Sequence, residues 1–154
     1  PISIIYMFIN LPLFIIGGGF EEIGWRGYLQ PKLEKKYNYI TAVLMVGIIW
    51  ALWHLPLWFI KGTVQSALPF FLYLFLVIIL SFSFTTIYKY TRNIFLCILS
   101  HAWFNGCIGL GVYIGVNGYL QLNLNWRVFL VFLLEFIFSF ILSIKLVHKS
   151  KRDV

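Results

Sequence analysis

The stretch Phe20-Glu21-Glu22-Ile23-Gly24-Trp25-Arg26-Gly27 decides how the rest of the chain is read. It sets two carboxylates and a guanidinium within two helical turns, and the other carboxylates are Glu34, Glu135 and Asp153. A lone carboxylate deep in a bilayer costs on the order of 2.5–3.5 kcal/mol, so such groups are usually paired and usually functional. Helical spacing puts Glu22 and Arg26 one turn apart in the favourable acid-first order. Glu21, rotated by about 100° from Glu22, is able to face something else. The pattern reads as one acid held by its own arginine and a second left free for chemistry. The plainer alternative is a salt-bridged interfacial helix with no chemistry at all.

The membrane setting follows from composition. Hydrophobic residues make up 61% of the chain and charged residues 11%, with a mean hydropathy of +0.89. A soluble domain of this size has no use for so much apolar surface, so the chain reads as an integral membrane protein. Its net charge of +7 falls in short clusters between apolar runs, the pattern of a topology signal and not of a nucleic-acid footprint. Cys97 and Cys107 share one apolar run. Ten helical residues hold them about 15 Å apart, too far to pair, so both are expected to be packing residues. No signal peptide is evident.

The expected architecture is all-α, a single membrane domain over residues 1–154 with about five transmembrane segments. The first runs from Ile2 through Ile16, with helical periodicity to Gln30. One straight rod of that length would be about 43 Å, against a hydrocarbon core of roughly 30 Å. Gly17-Gly18-Gly19 is therefore the expected bend, and Pro31 the expected end. The others span about Tyr39–Ile60, Leu68–Tyr88, Ile94–Val116 and Trp126–Val147. Pro56 invites a kink beside His54. Gly111 and Gly115 form a small-xxx-small pair suited to close helix approach. Glu135 sits mid-span without an assigned role.

The Lys32–Lys36 loop, the Lys89–Arg92 loop and the C-terminal tail are basic and fall on one side of alternating spans. By the positive-inside rule that side is cytoplasmic. Counting inward from it at 1.5 Å per residue, His101 and Asn105 lie roughly 10–18 Å deep and His54 about 18–22 Å. Glu21 comes out at a similar or shallower depth, so one cytoplasm-facing cavity could collect them all. His101 and Asn105 share a helix face, as do Trp50 and His54, which gives the latter an aromatic wall. A single intramembrane histidine is often only a hydrogen-bond partner between helices. Two histidines, an asparagine and an acid–arginine pair on three helices are harder to dismiss, and an acid with histidines suits water activation.

Glu-Glu-x-x-x-Arg, aromatic-x-x-x-His and His-x-x-x-Asn, in that order on separate helices, resemble the CPBP family of intramembrane proteases. That family includes the CAAX prenyl endopeptidases and bacterial Abi-type proteins, some linked to bacteriocin maturation or immunity. The resemblance covers residues 18–109. Its first motif stands complete as Glu21-Glu22-Ile23-Gly24-Trp25-Arg26 and its third as His101-Ala102-Trp103-Phe104-Asn105. The second departs modestly: Trp50 stands four residues before His54 where phenylalanine is usual. The resemblance implies an all-helical membrane bundle open to the cytoplasm, whose earlier helices are expected to be missing here.

It further implies a metalloprotease-like endopeptidase that turns water on a peptide or protein substrate at the membrane. Glu21 would be the general base and His54 would orient the water, with Glu22–Arg26 beside them. His101 and Asn105 would donate hydrogen bonds to the oxyanion. The resemblance leaves the use of a metal open. Glu21, His54 and His101 make a chemically reasonable zinc set, although there is no His-Glu-x-x-His. Two other classes remain. A transporter would relay protons through Glu21, His54 and His101, but the third and fifth segments offer little for the outer half of a path. A non-catalytic immunity or peptide-binding protein would keep the bundle without cleavage.

Overall fold

The backbone stays helical from Ile2 to Glu34 in a computed structural model that describes residues 2–114 and 120–122, with 130, 133–134, 137–138, 140–142 and 144–145. Along that rod α1 (Ile2–Phe14), α2 (Glu21–Gly24) and α3 (Gln30–Glu34) are joined by two π-helical turns, Ile15–Gly19 and Trp25–Leu29. The glycine triplet does not break the helix as expected; it widens it. Phe20 N–H donates to the carbonyl of Ile15, five residues back, at 2.9 Å. Pro31 does not end the segment either. It lies in the first turn of α3, directly after the second π turn, and the chain stays helical to Glu34.

Helix α4 (Tyr39–Trp53) starts at Asn38, whose side chain accepts from Thr41 N–H at 2.9 Å, an N-cap that satisfies a free amide. It stops short of the expected Ile60. From His54 the chain tightens into a 3-10 turn, Leu55–Phe59, with Pro56 near its start. A second such turn covers Gln65–Ala67. Helix α5 (Phe70–Thr91) closes at Arg92 with a left-handed φ of 53°. Asn93 Oδ1 then accepts from Phe95 N–H at 2.9 Å to open α6 (Ile94–Gly111). The expectation of helix to Val116 fails here. Val112–Ile114 (β1) pairs antiparallel with Leu120–Leu122 (β2) as a short hairpin. In the fifth segment the described residues between 130 and 145 are helical, and the Phe140 ring meets Phe82 at 5.7 Å. Glu135 and Gly115 lie outside the described residues.

The fold is an all-α membrane helical bundle with that one hairpin appended. Tyr39–Phe59 and Phe70–Thr91 are long and apolar enough to cross a bilayer, and Ile94–Gly106 is a shorter apolar helix. Large apolar side chains such as Phe59, Phe71, Trp53 and Ile9 face outward, as lipid-facing residues do. Inside, α4 packs on α5, and α6 packs on α1 and the first π turn. Lipid tails give helices no hydrophobic reason to associate, so close approach and interhelical hydrogen bonds must hold them. Both are present. A Cβ on Gly47 would lie 3.1 Å from Ile78 Cα, and Ser81 Oγ donates to the Val43 carbonyl at 3.1 Å. Cys97 is a buried free thiol against the Phe84 carbonyl.

The tightest backbone approach is at the first π turn, where a Cβ on Gly19 would lie 2.8 Å from Ile98 O. The obstacle is backbone, so α6 itself would have to shift. Gly19→Ala should therefore cost about 1–3 kcal/mol, the range for overpacking, and lower the melting temperature of the purified protein in detergent. An unchanged melting curve would mean the two helices are not held at this distance.

Candidate active site

Two acids one residue apart meet opposite environments. Glu22 and Arg26 are both 0% exposed and pair at 3.0 Å through Oε1 and Nη1, the contact expected from their one-turn spacing. The same Oε1 lies 2.9 Å from His101 Nδ1. A carboxylate oxygen only accepts, so Nδ1 carries the proton and Nε2 faces the other way. Glu21 and His54 are 24% and 16% exposed. One acid is sealed into the bundle and the other is partly exposed.

Glu21 is not free in the sense the sequence suggested. Its Oε2 accepts from Trp50 Nε1 at 2.7 Å and from Trp25 Nε1 at 3.2 Å. Its Oε1 lies 3.7 Å from His54 Nε2, beyond direct hydrogen-bond length. His54 Nδ1 is 3.0 Å from the carbonyl of Trp50. That carbonyl requires a proton on Nδ1, so neutral His54 presents the Nε2 lone pair toward Glu21.

The glycines complete the far wall. A Cβ on Gly18 would strike Asn105 Nδ2 and sit 3.3 Å from His101 Nε2. Bare backbone in the π turn is thus what leaves room for these two polar groups, one turn apart on α6. Phe84 stacks on the His101 ring at 5.3 Å and 24°, which limits its rotation. The Arg26 guanidinium lies 4.9 Å from the Trp50 ring centroid and 5.3 Å from that of Phe84. These π faces attract the cation, whose Nε and Nη2 are buried without a protein hydrogen bond.

All six residues singled out in the sequence gather around Trp50. It bonds Glu21, lies over Arg26, and stands 6.3 Å from the ring of His54 and 5.2 Å from that of His101. Glu22 joins through Arg26 and His101, and Asn105 through the Gly18 contact. Sequence reading gave Trp50 only the part of a wall and gave Trp25 no part. The signal was there: Glu21 and Trp25 have the same i, i+4 spacing as Glu22 and Arg26, with the indole N–H as the donor.

Glu21, His54 and His101 do not gather as a zinc set. Trp50 packs against both histidine rings, at 6.3 and 5.2 Å, and one Glu21 oxygen is taken by two indoles. Among the described residues no three His, Cys, Asp or Glu side chains are placed to hold a metal ion.

The family model described as type II CAAX prenyl endopeptidase Rce1-like matches residues 3–107, which takes in the three motifs. A stretch of 53 residues is 42% identical to CAAX prenyl protease 2 of Methanococcus maripaludis. That match takes in 34% of this chain and 20% of the relative, so the chain is aligned to about a fifth of that protein's length. No solved structure matches the chain.

Proposed function

This chain belongs to the type II CAAX prenyl endopeptidase Rce1-like family, and on that premise we propose that it is an intramembrane endopeptidase with Glu21 as the base. The observation that carries the reading is the 3.7 Å gap between Glu21 Oε1 and His54 Nε2. Both atoms are acceptors, and both side chains are partly exposed. A water between them would donate one hydrogen to each and turn its own lone pairs outward, toward a substrate carbonyl.

The water oxygen bonds to the scissile carbonyl carbon while its proton passes to Glu21. Charge develops on the carbonyl oxygen, where the Asn105 amide and His101 Nε2 would donate. For His101 to donate from Nε2 while Nδ1 donates to Glu22 it must carry both protons, and Glu22 then faces two cations, Arg26 and the imidazolium. Preorganised donors of this kind are worth about 2.7–4 kcal/mol each in acyl transfer. The C–N bond then breaks, and Glu21 returns its proton to the leaving amine. The mechanism has no step through a metal.

Orientation rests on charge. The ion pair of Lys89 with Glu34 puts the connections after α3 and after α5 at one end of the bundle, and both are basic. That end faces the cytoplasm under the positive-inside rule, and substrate is proposed to enter from the same side. The substrate is a peptide or protein at the membrane, and the name of the Methanococcus relative points to a prenylated CAAX tail.

One experiment tests these together. A quenched fluorogenic CAAX peptide, prenylated or bare and too polar to cross lipid, is added to sealed vesicles bearing the chain. Inside-out vesicles should cleave it, right-side-out vesicles should not, and chelator should leave the rate within about twofold, since no metal step is involved. Absence of cleavage of either peptide would overturn the endopeptidase reading. A rate abolished by chelator and restored by zinc would overturn the metal-free mechanism.

A further inference from the structure

We propose that Trp50 is a positioning residue that holds both halves of the water-activating pair, Glu21 through its side chain and His54 through its main chain. The proposal rests on the glutamate-base reading above. The indole Nε1 donates to Glu21 Oε2 at 2.7 Å, within the length of a charge-assisted hydrogen bond. The carbonyl of the same residue lies 3.0 Å from His54 Nδ1. One residue therefore sets the plane of the carboxylate, the tautomer of the imidazole and the spacing between them.

Trp50 is built to hold still. It is 2% exposed and sits on the last full turn of α4, where Ala51 beside it is also buried. Its ring is enclosed by Trp25 at 6.4 Å, Phe84 at 6.1 Å, His54 at 6.3 Å and His101 at 5.2 Å between centroids. A ring so confined cannot turn its N–H away from Glu21 without moving several neighbours. Trp25 adds a second donor to the same oxygen at 3.2 Å, on a less buried ring. With Oε2 taken by both indoles, Oε1 is the oxygen left to face His54. Phenylalanine at position 50 would keep the carbonyl half of this arrangement and lose the indole half.

The test removes the N–H and nothing else. In the full chain, Trp50 is replaced by benzothienylalanine, an isostere with sulfur in place of the N–H, and in a second variant by phenylalanine (Trp50→Phe). With a loosened carboxylate, kcat should fall roughly 10–100-fold, the scale on which small misplacements act, while KM stays within about twofold. Independently of cleavage, the Trp50 indole 1H–15N resonance, assigned by its absence in Trp50→Phe, should move in Glu21→Ala. A purely structural role predicts a silent isostere, since shape and burial are kept. Wild-type cleavage with an unchanged kcat in the isostere, or an indole resonance indifferent to Glu21→Ala, overturns the role of Trp50 alone. A wild type that cleaves nothing overturns the peptidase reading itself, while the resonance still decides whether the hold exists.

Discussion

Glu21→Gln is expected to lower cleavage by at least about 10²–10⁴-fold, the range attributed to general acid–base catalysis, while the protein accumulates and melts as the wild type does. Glutamine keeps the length of the side chain and a carbonyl oxygen that accepts from Trp50 and Trp25, now 2.7 and 3.2 Å from Glu21 Oε2. What it lacks is the ability to take a proton from water. A neutral amide is also easier to bury than a carboxylate, so instability would not explain the loss. His54→Ala and His101→Ala should each lose cleavage too. Combining either with Glu21→Gln should add little, because residues acting as one unit are strongly non-additive. The measurement is one substrate followed at matched membrane levels of each variant. A docking or immunity protein would keep its protective or binding activity in Glu21→Gln, and retained function there would end the catalytic reading.

Arg26→Ala should act on the fold as well as on the reaction. Glu22 and Arg26 are fully buried, and removing one partner of a buried ion pair typically costs 3–5 kcal/mol because the other charge is stranded. Here the stranded carboxylate would have only His101 Nδ1, at 2.9 Å. The guanidinium also fills the space between the Trp50 and Phe84 rings, so its loss opens a void next to the positioned indole. The expected result is a large drop in folded protein and in melting temperature. The double variant Glu22→Gln with Arg26→Met separates the effects. It strands no charge and should recover much of the level, yet stay poorly active, because a neutral amide at position 22 still accepts from His101 Nδ1 but no longer supplies the negative charge that supports a second proton on that ring. Arg26→Ala found at normal level with a normal melting curve would refute the pairing argument.

The contacts of the candidate site were more legible in the sequence than the shape of its carrier. The Glu22–Arg26 contact follows from spacing alone, and so does the shared face of His101 and Asn105. The glycine triplet was the harder reading. Three glycines permit a bend, but whether they bend, widen or merely thin a helix depends on what approaches them. Here the backbone of α6 does, at Ile98, and no local rule contains that neighbour. Pro31 was misjudged for the same reason, since the π turn before it lets the helix run on to Glu34. The second donor system around Glu21 was hidden by habit: tryptophan in an apolar run is weighed as bulk, and its single N–H is forgotten. The short hairpin after Gly111 was announced by Asn117-Gly118 and by the alternation Leu120-Gln121-Leu122-Asn123-Leu124-Asn125, signals outweighed by the apolar run that precedes them.

Biogenesis imposes its own demand on this arrangement. The long-range partners arrive late: Trp50 follows Glu21 by 29 residues and His101 follows Glu22 by 79. At roughly 5–20 residues per second, the ribosome needs about 4–16 s to deliver that histidine. Each carboxylate nevertheless leaves the ribosome with an escort one turn behind it, Trp25 for Glu21 and Arg26 for Glu22. The segment can thus enter lipid with both acids already attended, and the later helices add Trp50 and His101 to contacts that persist in the folded protein. The crowded Glu-Glu-x-x-Trp-Arg run is in this sense a travelling kit, assembled within a single helix so that insertion need not wait for the rest of the protein.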